Sequence, residues 1–235
     1  MTALFDYPKG AAFGRVVPKN KIYEHAGAST ALKDLFITQV DQIVWKFKLA
    51  PETINLAANR SVSEIQVFSI SLRKAELDLD VLRAIDRAIP FPLIFELSWS
   101  GRSKVVAAFK RPSEADSTKW VLSEYFETVW MDDGPLRQPL PIALNLASLY
   151  EQILTSLMPA QVASDEGIQA RVARMEAIRA KTREVERITL RLNREKQFNK
   201  RVAINAELRA ARLQLAELKQ EKLAVADDRQ SAASE

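Results

Sequence analysis

The first part of the chain alternates between two hydrophobic periodicities. Apolar residues recur every three to four positions over residues 29–49 and again over 78–89, and this spacing predicts two amphipathic helices. Residues 63–72 instead alternate β-branched and aromatic residues with polar ones, which predicts a strand. Two apolar runs joined by the short turn SGRS come next, so we expect a β-hairpin over residues 91–111.

One more strand and one more helix complete this pattern. The run SEYFETVWM (123–131) predicts a strand, and the apolar run over 139–158 predicts a helix whose first turn contains prolines. The order of elements is typical of an α+β fold with a mostly antiparallel sheet packed with helices. We expect residues 1–160 to form one globular domain with its own core.

The C-terminal part has a different composition. All ten Pro and all six Gly precede residue 168, and the residues after that point are rich in Ala, Arg, Glu and Leu. Sequence of this kind forms helices. We therefore place a linker at 161–167, a long basic helical arm with coiled-coil-like spacing at 168–224, and a disordered tail at 225–235.

Two apolar stripes run along this arm in different registers, and the phase shift between them falls at NREKQFN (193–199). Two structures explain the shift. One is a straight helix whose apolar stripe contacts one partner before this point and another after it, and the other is a helical hairpin that folds back here. We favour the straight helix, because tight turns usually contain Gly, Pro or Asp and none is present. The stripes are the predicted partner-docking residues: Met175, Ile178, Val185 and Leu192, then Ile204, Leu208, Leu215 and Leu218.

The net charge of +4 is concentrated on the arm. Residues 1–165 hold 18 Lys and Arg against 19 Asp and Glu, whereas residues 166–223 hold 15 against 8. A basic helix face can neutralise nucleic-acid phosphates. The predicted nucleic-acid contacts are Arg187, Arg191, Arg194, Lys200 and Arg201, with Lys46 and Lys48 on the outer side of the predicted helix 29–49. Because acids are interleaved along the arm, a solvated face with local ion pairs is the alternative interpretation.

The chain offers few groups for catalysis. It has no Cys, and its only histidine, His25, lies in a predicted loop. It also lacks the glycine-rich motifs that hold nucleotide phosphates. We therefore expect no catalytic residues, no bound metal and no cofactor.

One carboxylate pattern leaves an alternative open. Glu52 follows Pro51, and Glu64 and Gln66 open the predicted strand 63–72. Metal-dependent nucleases use two carboxylates to hold Mg²⁺ and a lysine to activate water. Here Gln66 stands where that lysine is expected, and each glutamate also has a simple structural role at the end of an element.

Five segments resemble the bacterial family catalogued as domain of unknown function 4391: PKNKIYEHA, VDQIVWKFKLAPETINL, SEIQVFSISL, DVLRAIDRAIPFPLIFEL and EKQFNKRVAINAELR. They begin at residues 18, 40, 63, 80 and 195, so the resemblance covers nearly the whole chain. Members of that family are often encoded beside helicases and DNA methyltransferases of restriction or phage-defence type. The resemblance therefore implies an accessory subunit of a DNA-acting complex, and it carries no site residues with it.

Together these patterns favour a non-catalytic accessory subunit that docks a helicase- or methyltransferase-type partner through its arm and contacts DNA. A metal-dependent nuclease centred on Glu52 and Glu64 is one alternative, and a homodimeric coiled-coil structural protein is another. The N-terminus has no signal-peptide pattern, and no apolar run approaches the roughly 20 residues that span a bilayer. We therefore expect a cytoplasmic protein with no membrane partner.

Overall fold

The computed structural model describes residues 4–113, 115–116, 119–132, 134, 137–158 and 166–220. Its contacts divide the chain into two compact units, Met1–Ala160 and Gln161–Glu235. Most of the predicted linker 161–167, the last residues of the predicted arm and the whole predicted tail lie outside the described residues.

The first unit is built on a mixed sheet. In chain order its elements are β1 (Phe5–Asp6), a 3-10 turn (Lys9–Ala11), β2 (Ala12–Val16), α1 (Lys19–Ala26), α2 (Thr30–Gln39), β3 (Val40–Leu49), α3 (Pro51–Ile54), β4 (Ile65–Leu72), α4 (Leu79–Ala88), β5 (Leu93–Trp99), β6 (Arg102–Pro112), β7 (Trp120–Glu127), β8 (Met131–Asp132), β9 (Gln138–Pro139) and α5 (Leu146–Leu157). Strands β2 to β7 lie side by side in sequence order, β8 pairs with β6, and β1 pairs with β9 in a separate small ladder.

Within this sheet, β4 and β5 are parallel and α4 connects them, while the other pairs are antiparallel. Antiparallel neighbours need only short turns, whereas a parallel pair needs a crossover such as α4. The α+β class and the mostly antiparallel sheet that the sequence predicts are therefore confirmed.

The core of this unit covers both faces of the sheet. On one face Phe68 and Phe95 pack with Phe36 of α2 and with Leu82 and Ile85 of α4. The residues that alternate with these along the strands are buried as well, including Ile65, Val67 and Ile94. A central strand that is buried on both faces needs packed elements on each side of the sheet. Helix α5 packs against the strands β6 and β7.

The predicted helix 29–49 is wrong in its second half, where α2 ends at Gln39 and β3 begins at Val40. The segment VDQIVWKFKL is rich in β-branched and aromatic residues, which fit a strand. Its apolar residues match both periodicities, so local spacing does not separate the two structures. Pairing with β2 on one side and β4 on the other supplies its backbone hydrogen bonds and makes it a central strand.

Three further local predictions differ from the structure. His25 lies in the last turn of α1 rather than in a loop. Helix α5 begins after Asn145, whose side chain accepts a hydrogen bond from the Ser148 amide, and the prolines of 139–158 precede it. The predicted strand 123–131 is two strands, because β7 ends at Glu127 and β8 begins at Met131.

The second unit is an antiparallel helical hairpin. Helix α6 (Ile168–Arg194) and helix α7 (Phe198–Gln220) are joined by three residues. Ile188 of α6 packs with Ile204, Leu208 and Ala211 of α7, and Val185 and Leu192 border this cluster. The prediction of a long helical C-terminal region is confirmed, but the preference for one straight helix is wrong.

The reversal occurs without Gly, Pro or Asp because it needs no unusual backbone. Glu195 ends α6 with φ −76° and ψ 127°, a conformation that any residue adopts. Its amide donates to the Arg191 carbonyl, and its carboxylate accepts a hydrogen bond from the Gln197 amide. The carboxylate thus satisfies an amide at the start of α7, where negative charge is favoured. Across the described residues, none of the helices is both long and apolar enough to cross a bilayer.

Candidate nucleic-acid interface

Packing within the hairpin determines which side of α6 faces solvent. Val185, Ile188 and Leu192 point toward α7, since they contact its buried residues. Two polar contacts tie the same pair of helices together: Lys181 to Gln214 at 2.9 Å and the ion pair of Arg191 with Glu207. Because an α-helix has 3.6 residues per turn, Arg187 and Arg194 lie on the same side of α6 as Arg183, and position 191 lies between that side and the seam.

That other side of α6 carries the exposed Arg183, Arg187 and Arg194, and the exposed Arg191 borders it where it pairs with Glu207 of α7. They form one stripe of roughly 16 Å along the helix. The neighbouring acids Glu184 and Glu186 lie to either side of the stripe, and Glu184 is ion-paired with Lys181 at 2.8 Å. The stripe positions of α6 therefore contain no acid, although Glu207 of α7 pairs with Arg191.

A surface groove of about 410 Å³ lies at the C-terminal end of this stripe. It is lined by Arg187, Leu190, Arg191, Arg194 and Glu195. Hydrogen bonds from the Gln197 and Lys196 amides hold the pKa of the Glu195 carboxyl below its usual range, so this group is charged and already engaged. Within the described residues, neither Arg187 nor Arg194 forms an ion pair, which leaves both charges available.

The predicted contacts Lys200 and Arg201 lie in the first turns of α7, just past the reversal, and both are exposed. The structure therefore brings all five predicted arm contacts to one end of the hairpin. Sequence reasoning missed two neighbours of this set, Arg183 and the exposed Phe198. The spacing of the arginines at four, four and three residues was the signal that could have shown Arg183.

The two predicted contacts on the globular unit have a different environment. Lys46 of β3 lies 3.1 Å from the Glu96 carboxylate, which Arg137 also binds through two nitrogens at 2.8 and 3.0 Å. Burial alone would raise the pKa of Glu96, but the hydrogen bonds from Arg137 and the charge of Lys46 hold it below its ordinary value. Lys46 is thus ion-paired with a buried carboxylate that it shares with Arg137, while its own side chain stays 37% exposed.

Lys48 is the centre of the cluster that contains the alternative nuclease residues. Its ammonium lies 2.6 Å from Glu52 and 3.4 Å from Glu64, and the Gln66 amide donates to Glu64 at 2.6 Å. The hydrogen bond with Glu52 raises the pKa of Lys48 and lowers that of Glu52. The structure therefore brings Glu52, Glu64 and Gln66 together, with a lysine from the neighbouring strand between the two carboxylates.

No group of three or more histidine or acidic side chains is arranged to hold a metal ion in the part of the chain that the structure describes. The Lys48 cluster has two carboxylates, and both already contact the lysine. As it stands, the arrangement is a hydrogen-bonded ion cluster at the start of β4.

The predicted docking residues are mostly occupied within the hairpin. Val185, Leu192, Ile204 and Leu208 contact one another across the seam between α6 and α7. Leu215 and Leu218 are half-buried, as is Ile178, and Met175 is buried. Exposed apolar residues on α7 lie at other positions, Phe198, Val202 and Leu213.

The family model described as Domain of unknown function (DUF4391) matches residues 5–215. The chain belongs to this family. The match spans the sheet unit and most of the helical hairpin, so the DUF4391 region includes the arginine stripe, the groove and the Lys48 cluster. Comparison with curated proteins and with solved structures gives no match.

This DUF4391 protein also has a buried polar group that the sequence did not indicate. Lys110 of β6 donates to the carbonyl oxygens of Asp86 and Ile89 and lies 3.5 Å from the Asp86 carboxylate, which accepts a hydrogen bond from the Tyr125 hydroxyl at 2.5 Å. Burial raises the pKa of Asp86 to about 6 and lowers that of Lys110. The side chains of Lys110 and Asp86 are only 2% and 3% exposed, so this group joins α4 to the sheet.

Proposed function

We propose that this protein is a non-catalytic accessory subunit of a DNA-acting complex and that its helical hairpin binds the nucleic-acid backbone. The observation that carries the proposal is the stripe of exposed arginines on α6, which ends in a groove lined in part by Arg187 and Arg194. Lys200 and Arg201 are exposed just past the turn, near the start of α7. Arginine is suited to this role, because its planar guanidinium binds phosphate through two nitrogens.

The geometry supports binding to the backbone rather than reading of base edges. A duplex carries about one phosphate charge per 1.7 Å of its axis, so a straight stripe of roughly 16 Å can engage several phosphates at once. Contacts of this kind are independent of sequence and release counterions, so affinity falls as salt rises. This behaviour suits a subunit whose partner supplies the sequence specificity.

The restriction or phage-defence setting and the helicase- or methyltransferase-type partner are implied by the family resemblance. A cytoplasmic location would suit that setting.

Val202 and Leu213 support partner docking, since they are 54% and 62% exposed on a helix whose other apolar side is already covered. The test is co-purification with a helicase or methyltransferase encoded beside this protein, compared between the native chain and Val202→Glu/Leu213→Glu. Equal recovery of the partner with both chains would contradict docking through α7.

The decisive test of nucleic-acid binding is fluorescence anisotropy with a labelled DNA duplex across a salt series. We expect Arg187→Ala/Arg194→Ala to weaken binding and to lower the slope of log affinity against log salt by about 2, one for each arginine removed from a phosphate. The matched control is Arg60→Ala/Lys74→Ala, which removes two exposed cations of the sheet unit and changes the net charge equally. If both double variants bind alike, the stripe is not the interface.

Metal-dependent cleavage at the Lys48 cluster is a second candidate, favoured by the convergence of Glu52, Glu64 and Lys48 on neighbouring elements. Two carboxylates and a lysine are the groups such chemistry uses. The test is cleavage of DNA with and without Mg²⁺ by the native chain, by Glu64→Ala and by Glu76→Ala, an exposed acid outside the cluster. Cleavage that needs Mg²⁺ and is lost only in Glu64→Ala would favour an enzyme over an accessory subunit.

The homodimeric coiled-coil alternative has less support. The seam residues that would join two chains, Ile188, Ile204 and Leu208, already join α6 to α7 within one chain. Sedimentation of the full chain over a range of concentrations tests this alternative, and a stable dimer would favour it.

A further inference from the structure

Phe198 is the single aromatic residue of the sequence from 168 to 220, and 77% of its surface is accessible. It is the first residue of α7 and follows the three-residue turn directly. The apolar residues of the seam lie elsewhere on α7, so the ring is not part of the hairpin core. A phenylalanine at the tip of a hairpin adds nothing to the stability of the seam, and its large apolar surface is left in water.

The surroundings of this ring are basic and polar. Arg194, Lys196, Lys200 and Arg201 are exposed within four residues of Phe198, and the amide side chains of Gln197 and Asn199 flank it directly. The one acid of the segment, Glu195, is held by the backbone amides of the turn. The tip therefore presents one aromatic face among four cations.

This combination matches the chemistry of an unpaired nucleotide. Proteins that bind single strands join a positively charged track for the phosphates to aromatic side chains on which bases stack. Bases inside a duplex are stacked on one another and present only their edges in the grooves. Inserting a ring into a duplex costs a few kcal/mol of unstacking per base step. A protruding ring at the hairpin tip avoids that cost where a base is already free, as in a single strand or at an unpaired end.

We propose that Phe198 stacks on an unpaired base, so that the hairpin binds single-stranded nucleic acid or unpaired ends while the arginine stripe follows the backbone. This inference rests on the proposed function, because the stripe must first bind phosphates. It adds the form of the nucleic acid, which the stripe alone does not distinguish. A protein partner with an apolar pocket and acidic rim is the competing occupant, and the experiment separates the two.

The experiment measures the affinity of the full chain for labelled oligo(dT) and for a labelled blunt duplex. We expect Phe198→Ala to weaken oligo(dT) binding about 5- to 100-fold, the range for loss of one stacked base, and to leave duplex binding within about twofold. Phe198→Tyr retains a ring and should bind as the native chain does. Phe198→Leu keeps apolar bulk without a π-face and should be as weak as the alanine variant.

Ile142→Ala is the matched control, since Ile142 is an apolar side chain of the sheet unit that is 96% exposed and has no proposed binding role. It should bind both ligands normally. If Phe198→Leu binds oligo(dT) as well as the native chain, or if every Phe198 variant does, the stacking role is refuted. If Arg187→Ala/Arg194→Ala binds both ligands as the native chain does, or if the native chain binds neither ligand, the proposed function itself has failed, whatever the Phe198 variants show.

Discussion

Lys181 of α6 donates a hydrogen bond to the side-chain oxygen of Gln214 in α7 at 2.9 Å, although 33 residues separate them along the chain. In one continuous helix these residues would be roughly 50 Å apart. The contact therefore distinguishes the hairpin from a straight arm. It also bears on the proposed nucleic-acid surface, because a hairpin buries one side of each helix and leaves Arg183, Arg187 and Arg194 on another.

The hairpin can be tested in solution by a distance measurement. Spin labels at Lys181→Cys and Gln214→Cys should report a short distance, far below the roughly 50 Å of a straight helix. The chain contains no native Cys, so labelling is specific. Labels at Arg183→Cys and Arg194→Cys are the control, because both lie on α6 and their separation is the same in either arrangement. A distance near 50 Å for the first pair would contradict the hairpin.

The seam should be the main source of stability for this hairpin. Leu208→Ala should lower the free energy of unfolding of the helical unit by about 2–4 kcal/mol, because Leu208 is 4% exposed and packs against α6. Hydrogen exchange of α6 and α7 amides in the full chain measures this change. Leu213→Ala makes the same substitution on the exposed side and should change stability by no more than about 0.5 kcal/mol. If Leu208→Ala and Leu213→Ala lowered the free energy of unfolding equally, Leu208 would not be part of the seam between α6 and α7.

The buried pair of Lys110 and Asp86 should tolerate removal of both charges better than removal of one. Asp86→Leu alone should destabilise the sheet unit by about 3–5 kcal/mol, because it leaves the Lys110 ammonium without its carboxylate in the core. Asp86→Leu/Lys110→Met removes the unpaired charge and should recover much of that loss. Urea denaturation followed by tryptophan fluorescence measures both. A double variant less stable than Asp86→Leu would show that the hydrogen bonds of Lys110 to the Asp86 and Ile89 carbonyls matter more than its charge.

The same aspartate should make stability depend on pH in an unusual direction. Burial raises its pKa to about 6 from an ordinary 3.8, so between these values the folded protein binds more protons than the unfolded chain. The free energy of unfolding should therefore fall as pH rises from about 4 to 6. Compared with Asp86→Asn, the native chain should lose up to about 3 kcal/mol of relative stability over this range. Parallel pH profiles for the two proteins would mean that Asp86 stays ionised in the core beside Lys110.

Several elements follow from local sequence alone. Helix α4 begins at an aspartate cap, where the Asp78 carboxylate accepts from the Asp80 amide, and its apolar residues recur at helical spacing. The β5–β6 hairpin is equally local, because Ser100 and Gly101 adopt the positive φ angles, 47° and 73°, that a two-residue turn requires. The absence of Pro and Gly after residue 167 specifies helices in the second unit, because these two residues are the least favourable in a helix.

Tertiary contacts decided what local spacing left ambiguous. Segment 40–49 is a strand because β2 and β4 pair with it on either side. The residues of the segment do not specify those partners. The two apolar stripes of the arm pack against each other across a three-residue turn in which the Glu195 carboxylate accepts from the Gln197 amide, and a search for Gly or Pro does not detect such a turn. Lys46 and Lys48 are ion-paired because β3 brings them to Glu96 and Glu64. The arginine stripe follows from helical spacing, but only the seam determines that it lies outside the hairpin core and that Arg191 pairs with Glu207. The sequence by itself thus determined most of the helices and strands and where the charge lies, through short-range backbone and side-chain preferences. Which charges remain free to bind a partner depended on contacts between residues far apart in the chain, and only the folded structure specifies those.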